Sequence, residues 1–273
     1  MTVETSQRPV ALVTGASAGI GAAFATRLAQ DGYDLIVTAR RQERLEALAQ
    51  DLQGKFGGKV EVLTADLSKT DGMRLVEKRI AGEPALELLV NNAGFGGYMP
   101  FVQLDPQVAE DLINLQVLAV TRLTRAALPG MLERNRGAII NVASRLAFSG
   151  PLGSTQLAKR ATYAGAKAYV VTFTQLLASE LEGTGVKVQV LCPGMVRTEF
   201  HTRQGMDTSR VPPNIISMPE DIVNASLDGL KLGEVVCVPT LEDPALLERV
   251  MESQRQMFQS SGSGAPAKRY GVS

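Results

Sequence analysis

The strongest constraint on this chain is a set of short runs dominated by Val, Ile and Leu, at Val10–Val13, Leu35–Thr38, Val60–Leu63, Leu86–Val90, Ala138–Val142, Val188–Leu191 and Val235–Val238. Each run is nearly continuous rather than alternating, which marks a strand buried on both faces. Helical patterns fall between them, at about residues 20–30, 41–52, 69–80, 106–134, 162–181 and 219–231. Strand and helix therefore alternate along the chain, and that order predicts an α/β fold with a doubly wound parallel sheet of about seven strands, helices on both faces, in a single domain. Residues 1–8 read as a flexible N-terminus, 9–259 as the domain, and 260–273, rich in Ser, Gly, Ala and basic residues, as a flexible tail. A last helical pattern, Pro244 to Met257, puts Leu246, Leu247, Val250 and Met251 on one face and suits a lid, a subunit contact or core cover, with core cover the expected reading.

Charge and residue counts remove several classes of function. Lysine plus arginine and aspartate plus glutamate both number 28 in 273 residues, so no basic excess exists to neutralise a nucleic-acid backbone. Two cysteines, Cys192 and Cys237, and one histidine, His201, cannot build a thiolate or imidazole metal cage, and no metal is expected. They also point to a reducing, cytoplasmic setting and to hydrophobic rather than reactive roles for the cysteines. His201, in an irregular stretch from Glu199 to Ser217, is expected to be an exposed loop residue, with a substrate contact as the competing reading. The 18 uncharged residues between Arg8 and Arg27 reach the lower limit for a membrane span. They contain Pro9, Gly15, Gly19 and Gly21, which suits a strand, a turn and a helix, so no membrane partner is expected.

In a sheet of this kind ligands bind outside the carboxyl ends of the strands, and the turn after the first strand is the place to look. It reads Thr14-Gly15-Ala16-Ser17-Ala18-Gly19-Ile20-Gly21. Gly15 lets the chain leave the strand sharply, Gly19 lets backbone approach a pyrophosphate, and Gly21 allows the helix to pack close to the strand. The opening of that helix offers N–H groups to phosphate oxygens, so the turn predicts a dinucleotide site on a Rossmann-type fold. The second strand ends Thr38-Ala39-Arg40-Arg41, with no acid to hold free ribose hydroxyls. Arg40 and Arg41 suit a 2′-phosphate, which predicts NADP rather than NAD; the competing reading has them solvated at a helix start, one paired with Glu43.

Tyr163 and Lys167 are four residues apart in a helical pattern and project from one face. A cation about 4 Å from a phenol at an effective dielectric of about 20 interacts by about 4 kcal/mol, enough to lower a pKa of about 10 by up to roughly three units before screening. That would suit general acid–base work near neutrality.

With these features in order, the sequence resembles the short-chain dehydrogenase/reductase family from about Pro9 to Pro239. The resemblance rests on Thr14–Gly21, Asn91-Asn92-Ala93-Gly94 after the fourth strand, Tyr163-Ala-Gly-Ala-Lys167, and Pro193-Gly194 after the sixth strand. It implies that Asp66 and Leu67 flank the adenine. Ser17, Ala18 and Ile20 would belong to the cofactor turn, and Asn92, Ala93 and Gly94 would line the cofactor. Pro193, Gly194, Val196 and Thr198 would meet the nicotinamide end. It further implies an NADP(H)-dependent oxidoreductase, a carbonyl reductase or alcohol dehydrogenase acting on a small molecule. There Tyr163 exchanges a proton with the substrate oxygen, Lys167 tunes it and holds the ribose, and Ser144 hydrogen-bonds the carbonyl. A homodimer or homotetramer through the helices at 106–134 and 162–181 is implied as well.

Two departures stand out. Nineteen positions separate Ser144 from Tyr163, more than the family shows, so the stretch Ser149 to Ala161 reads as a surface insertion at the pocket mouth, with Ser149 as a competing candidate by spacing. The family's catalytic asparagine in the long helix is matched by Gln116. Gln116 falls on an apolar row with Ala109, Leu112, Ile113, Val120 and Leu123, so it is expected to be buried and hydrogen-bonded, either relaying protons through a water to Lys167 or serving as a structural amide. The alternative to an enzyme is a low-turnover, NADP-binding sensor or scaffold.

Overall fold

The structure is a computed structural model that describes residues 8–150, 152, 160–205, 207, 211–262 and 264–271. They fall into two compact units, one ending at Pro239 and one beginning at Thr240. The reading of Ser149 to Ala161 as an insertion lies largely outside the described residues.

In the first unit the apolar runs become β1 (Val10–Thr14), β2 (Asp34–Ala39), β3 (Val60–Thr64), β4 (Leu86–Asn91), β5 (Gly137–Val142) and β6 (Val186–Leu191). The intervening helices are α1 (Gly19–Gln30), α2 (Gln42–Phe56), α3 (Thr70–Ala81), α4 (Pro106–Ile113), α5 (Ala119–Glu133) and α6 (Ala161–Glu180). A short parallel pair, β7 (Met195–Val196) and β8 (Ile216–Ser217), brackets the brief helix α7 (Glu199–Thr202). Then come α8 (Pro219–Leu232) and β9 (Val236–Cys237). The main sheet has seven strands in the order β3-β2-β1-β4-β5-β6-β9, every neighbouring pair parallel. The expected doubly wound sheet is present, with its winding reversing between β1 and β4.

Successive residues of the strands point to opposite faces, and both faces are covered. On one side Val13, Val37 and Ile140 pack with Phe24, Leu28, Leu45 and Ile222 from α1, α2 and α8. On the other, Leu12, Ile36 and Ile139 pack with Met73, Val76, Leu123 and Leu177 from α3, α5 and α6. Polar side chains also enter the sheet: Asn91 donates to Asn141 Oδ1 at 2.9 Å and to Thr124 Oγ1 at 3.1 Å, and Asn141 donates to Thr174 Oγ1 at 3.0 Å. All four are buried, so this chain of bonds ties α5 and α6 to the middle of the sheet.

Three expectations need correction. β3 is a half-buried edge strand rather than one buried on both faces, because among the described residues nothing pairs beyond it. The last strand shrinks to Val236–Cys237. The helix read as continuous over 106–134 is interrupted by a π turn at Asn114–Leu118. The wider turn shifts the residue rows on its two sides, leaving Ile113 41% exposed while Leu112, Val120 and Leu123 are buried.

In the second unit, α9 (Ala245–Ser260) has no fully buried residue, and Leu247 and Met251 of its apolar face are half-buried. No helix among the described residues is long and apolar enough to cross a membrane.

Candidate active site

The carboxyl ends of β1, β2, β4, β5 and β6 open onto a cleft of about 320 Å³. Its floor is the turn between β1 and α1. Gly15 has φ +69°, and a Cβ there would stand 2.8 Å from Ala93 Cα. A Cβ on Gly21 would stand 2.4 Å from the Gly15 carbonyl oxygen, so only glycine lets the turn close on itself. Thr14 Oγ1 accepts from the backbone N–H groups of Asn92 (2.9 Å) and Ala93 (3.0 Å), and Asn92 Nδ2 donates to the Thr14 carbonyl at 2.9 Å. These bonds hold the ends of β1 and β4 together as one surface. The N-cap of α1, Ala18, makes no side-chain capping bond, so the helix presents its first N–H groups to the cleft.

Ser17, Ala18, Gly19, Ile20, Arg40, Arg41, Asp66, Leu67, Asn92 and Gly94 all line this cleft, as do Pro193, Gly194, Val196 and Thr198. Gly21 does not; it packs beneath the turn. Arg41 donates from Nε (3.2 Å) and Nη2 (2.9 Å) to Ser17 Oγ, and from Nη1 to Glu199 at 2.9 Å. The partner suspected from sequence, Glu43, is replaced by a carboxylate 158 positions away. Arg40 is exposed at the rim.

Ser144, Tyr163 and Lys167 come together at the opposite end of the cleft, all buried. Lys167 Nζ donates to the Val142 carbonyl at 2.9 Å. Ser144 Oγ accepts from Leu146 N–H at 3.2 Å and caps the short turn Arg145–Phe148, which fixes its position, whereas Ser149 donates its hydroxyl to the Leu146 carbonyl and is not among the cleft residues. The electrostatics differ from the sequence reading. Burial raises the Tyr163 phenol well above its ordinary value, and burial lowers the Lys167 ammonium to about 7. Desolvation outweighs the expected attraction, because Lys167 Nζ lies 5.6 Å from the Tyr163 ring centre and points to a carbonyl. Tyr163 is therefore a neutral phenol across the physiological range, a proton donor in its resting form.

Gln116 sits in the π turn, fully buried and lining the cleft. Its Nε2 donates to the Phe95 carbonyl at 2.8 Å, while Oε1 is buried with no protein partner. The expectation of a satisfied amide is thus met at one end only.

The end of the cleft beside Tyr163 holds residues that the sequence did not single out. The Tyr98 and Tyr163 rings meet edge to face at 5.5 Å, and Phe200 packs on both at 6.2 and 5.9 Å. The Arg160 guanidinium lies 4.8 Å from the centre of the Tyr98 ring. His201 is half-buried beside Phe200 in α7 rather than exposed, and burial followed by the Arg160 charge lowers its pKa. The available signal was the scarcity of rings: a chain with five tyrosines and eight phenylalanines places Tyr98 four residues past Gly94. Cys192 and Cys237 are buried, and burial pushes both thiols up to about 12, which fits inert packing. Among the described residues no cluster of metal-ligating side chains occurs.

The chain is similar to known proteins in sequence and fold. A very-long-chain 3-oxoacyl-CoA reductase of Phaeosphaeria nodorum is 34% identical over 226 residues, covering 81% of this chain and 62% of its own length. The chain thus spans less than two thirds of that relative. A short-chain dehydrogenase from Sphingobium yanoikuyae, solved in complex with NADPH, superimposes with a TM-score of 0.87 at 35% identity, covering 95% of this chain and 98% of the other. The bulky-bulky ketone specific alcohol dehydrogenase of Comamonas testosteroni gives a TM-score of 0.86 at 30% identity, covering 96% and 98%. Residues 9–208 match the short chain dehydrogenase family as a whole. With its glycine turn, Tyr163 and Lys167 all inside that span, the chain belongs to the short-chain dehydrogenase family.

Proposed function

We propose that this protein is an NADP(H)-dependent oxidoreductase that reduces a ketone, or oxidises the matching secondary alcohol, with Tyr163 as acid–base group. The observation that carries the reading is the convergence of Ser144, Tyr163 and Lys167 at one end of a cleft floored by the glycine turn. The NADPH-bound relative and the ketone-specific relative support it.

The residues present fit the dinucleotide. Cβ atoms at Gly15, Gly19 and Gly21 would meet Ala93, Thr198 and the Gly15 carbonyl, so the glycines keep the turn tight at the cleft floor, and the uncapped start of α1 supplies N–H donors. Arg40 and Arg41 would hold the 2′-phosphate, Asp66 and Leu67 the adenine end, and Asn92 to Gly94 with Pro193, Gly194, Val196 and Thr198 the nicotinamide half. When bound, the cofactor supplies or accepts the hydride.

In the chain's own chemistry, the Ser144 hydroxyl donates to the substrate oxygen and fixes the carbonyl. Tyr163, held neutral by burial, gives its proton to that oxygen as negative charge develops there. Lys167 holds the ribose and stabilises the phenolate left behind. The buried Gln116 Oε1, unpartnered in the protein, offers an acceptor for a water that returns a proton towards Lys167. That same substitution of glutamine for the family's asparagine favours the second reading, a low-turnover NADP-binding sensor or scaffold.

The experiment is a panel of ketones and alcohols followed by nicotinamide absorbance with NADPH and NADH, on wild type and Tyr163→Phe. Turnover in wild type, lost in Tyr163→Phe with cofactor affinity kept, is the expected result. Tight NADPH binding without turnover would select the scaffold, and turnover retained in Tyr163→Phe would remove the assignment of the acid.

The exposed apolar residues Leu118 on the π turn and Tyr169 and Leu176 on α6, with the stacked Tyr169–Phe173 pair, support a homo-oligomer built through this region.

A further inference from the structure

The arginines at the 2′-phosphate end already carry an anion of the protein's own. Glu199, the first residue of α7, accepts from Arg41 Nη1 at 2.9 Å and from Arg44, and forms an ion pair with Arg203 Nη2 at 3.0 Å. The Arg44 and Arg41 guanidinium groups hold its carboxyl well below the usual range. Arg41 is fully engaged in this arrangement, because Nε and Nη2 face Ser17 while Nη1 faces Glu199. A bidentate grip on a phosphate needs one of these sets to open. The Ser17 bonds sit inside the glycine turn; the Glu199 bond bridges to a separate loop. That loop also lies on the turn, since a Cβ on Gly19 would stand 2.8 Å from Thr198 Cγ2.

We propose that Glu199 is an internal counter-anion that occupies Arg41 and Arg44 and yields them to the 2′-phosphate of the dinucleotide. The inference rests on the NADP reading above. Its consequence reaches the other end of the cleft. Phe200 and His201 follow Glu199 in α7 and line the acceptor side, so release of Glu199 frees the segment that shapes the substrate pocket. Selection of the cofactor by its phosphate and the shape of the ketone site then share one hinge.

The Glu199→Gln variant tests this by isothermal titration calorimetry with 2′,5′-ADP and 5′-AMP as probes, with no catalysis required. Glutamine keeps the reach and removes the charge. Wild type is expected to bind 2′,5′-ADP more tightly than 5′-AMP. Glu199→Gln should tighten 2′,5′-ADP by about three- to tenfold and leave 5′-AMP within about twofold, and 0.5 M salt should narrow the gain, since these side chains are partly exposed. Unchanged or weaker 2′,5′-ADP binding in the variant would overturn the inference, making Glu199 a bystander or a clasp that closes over the bound phosphate. Equal binding of both probes by wild type would instead overturn the NADP reading on which it rests.

Discussion

Replacing Lys167 with methionine should abolish turnover and yet make the folded protein more stable at neutral pH. Burial lowers the ammonium from 10.5 to about 7. The folded state therefore binds fewer protons than the unfolded state between pH 7 and 10.5, so this group makes stability rise with pH across that window. Relative to a side chain that never ionises, the lysine costs about 4 kcal/mol at pH 7. Methionine removes that cost but leaves the Val142 carbonyl without its 2.9 Å donor, a loss of about 1–3 kcal/mol. The net gain is about 1–3 kcal/mol at pH 7, or a melting temperature higher by about 2–8 °C. Guanidinium unfolding of both proteins at pH 7, 8 and 9, without added nucleotide, is the assay. Its sharpest readout is the pH dependence of the difference, which should shrink by about 2 kcal/mol from pH 7 to 9 as the wild type gains. A difference that stays constant over that range would refute the argument that a buried, desolvated ammonium is the destabilising element.

If Gln116 relays protons, Gln116→Leu should lower turnover at least about tenfold while its melting temperature changes little, because removing a buried oxygen that has no protein partner offsets the loss of the Nε2 bond to the Phe95 carbonyl. Gln116→Asn should keep or raise activity, and full activity in the leucine variant would eliminate the relay. Arg40→Ala should weaken NADPH by about tenfold or more and NADH by less than about twofold, as measured by fluorescence titration; equal losses would make Arg40 structural. Light scattering across dilutions should give a dimer or tetramer, shifted towards monomer by Leu176→Glu on the exposed face of α6; a single monomer mass throughout would contradict the helix interface.

The fold was legible because its signal is local. A run such as Leu86–Val90 reports burial on both faces without reference to the rest of the chain, and the glycines of Gly15–Gly21 report a turn that no side chain permits. The candidate site was legible where a motif lies within one turn or one helix face, as for Tyr163 and Lys167. What escaped depends on contacts between distant segments. The π turn at Asn114–Leu118 has no proline or glycine to announce it; it is a shift in backbone hydrogen bonding. The raised pKa of Tyr163 comes from the protein packed around it, whereas spacing alone suggested the opposite direction. Glu199 meets Arg41 across 158 positions, and Tyr98 meets Phe200 across more than a hundred, from loops whose paths no periodicity encodes.

The paired amides of Asn91 and Asn141 act as a gauge for the assembly of the sheet. These residues stand directly opposite in the β4–β5 register. Sliding β5 by one residue towards the start of β4 would set Asn141 against Val90 and turn it to the other face, breaking its bonds to Asn91 and Thr174 and leaving its buried amide without partners, a penalty of a few kcal/mol for a slip of about 3.3 Å. The strands could otherwise slide, since their Val, Ile and Leu side chains are nearly interchangeable. Asn91 leads straight into Asn92–Gly94 and Asn141 lies three residues before Ser144. An error in alignment would therefore misplace the two walls of the cleft by about the length of a hydrogen bond, and the sheet's own polar rivets guard against that error during folding.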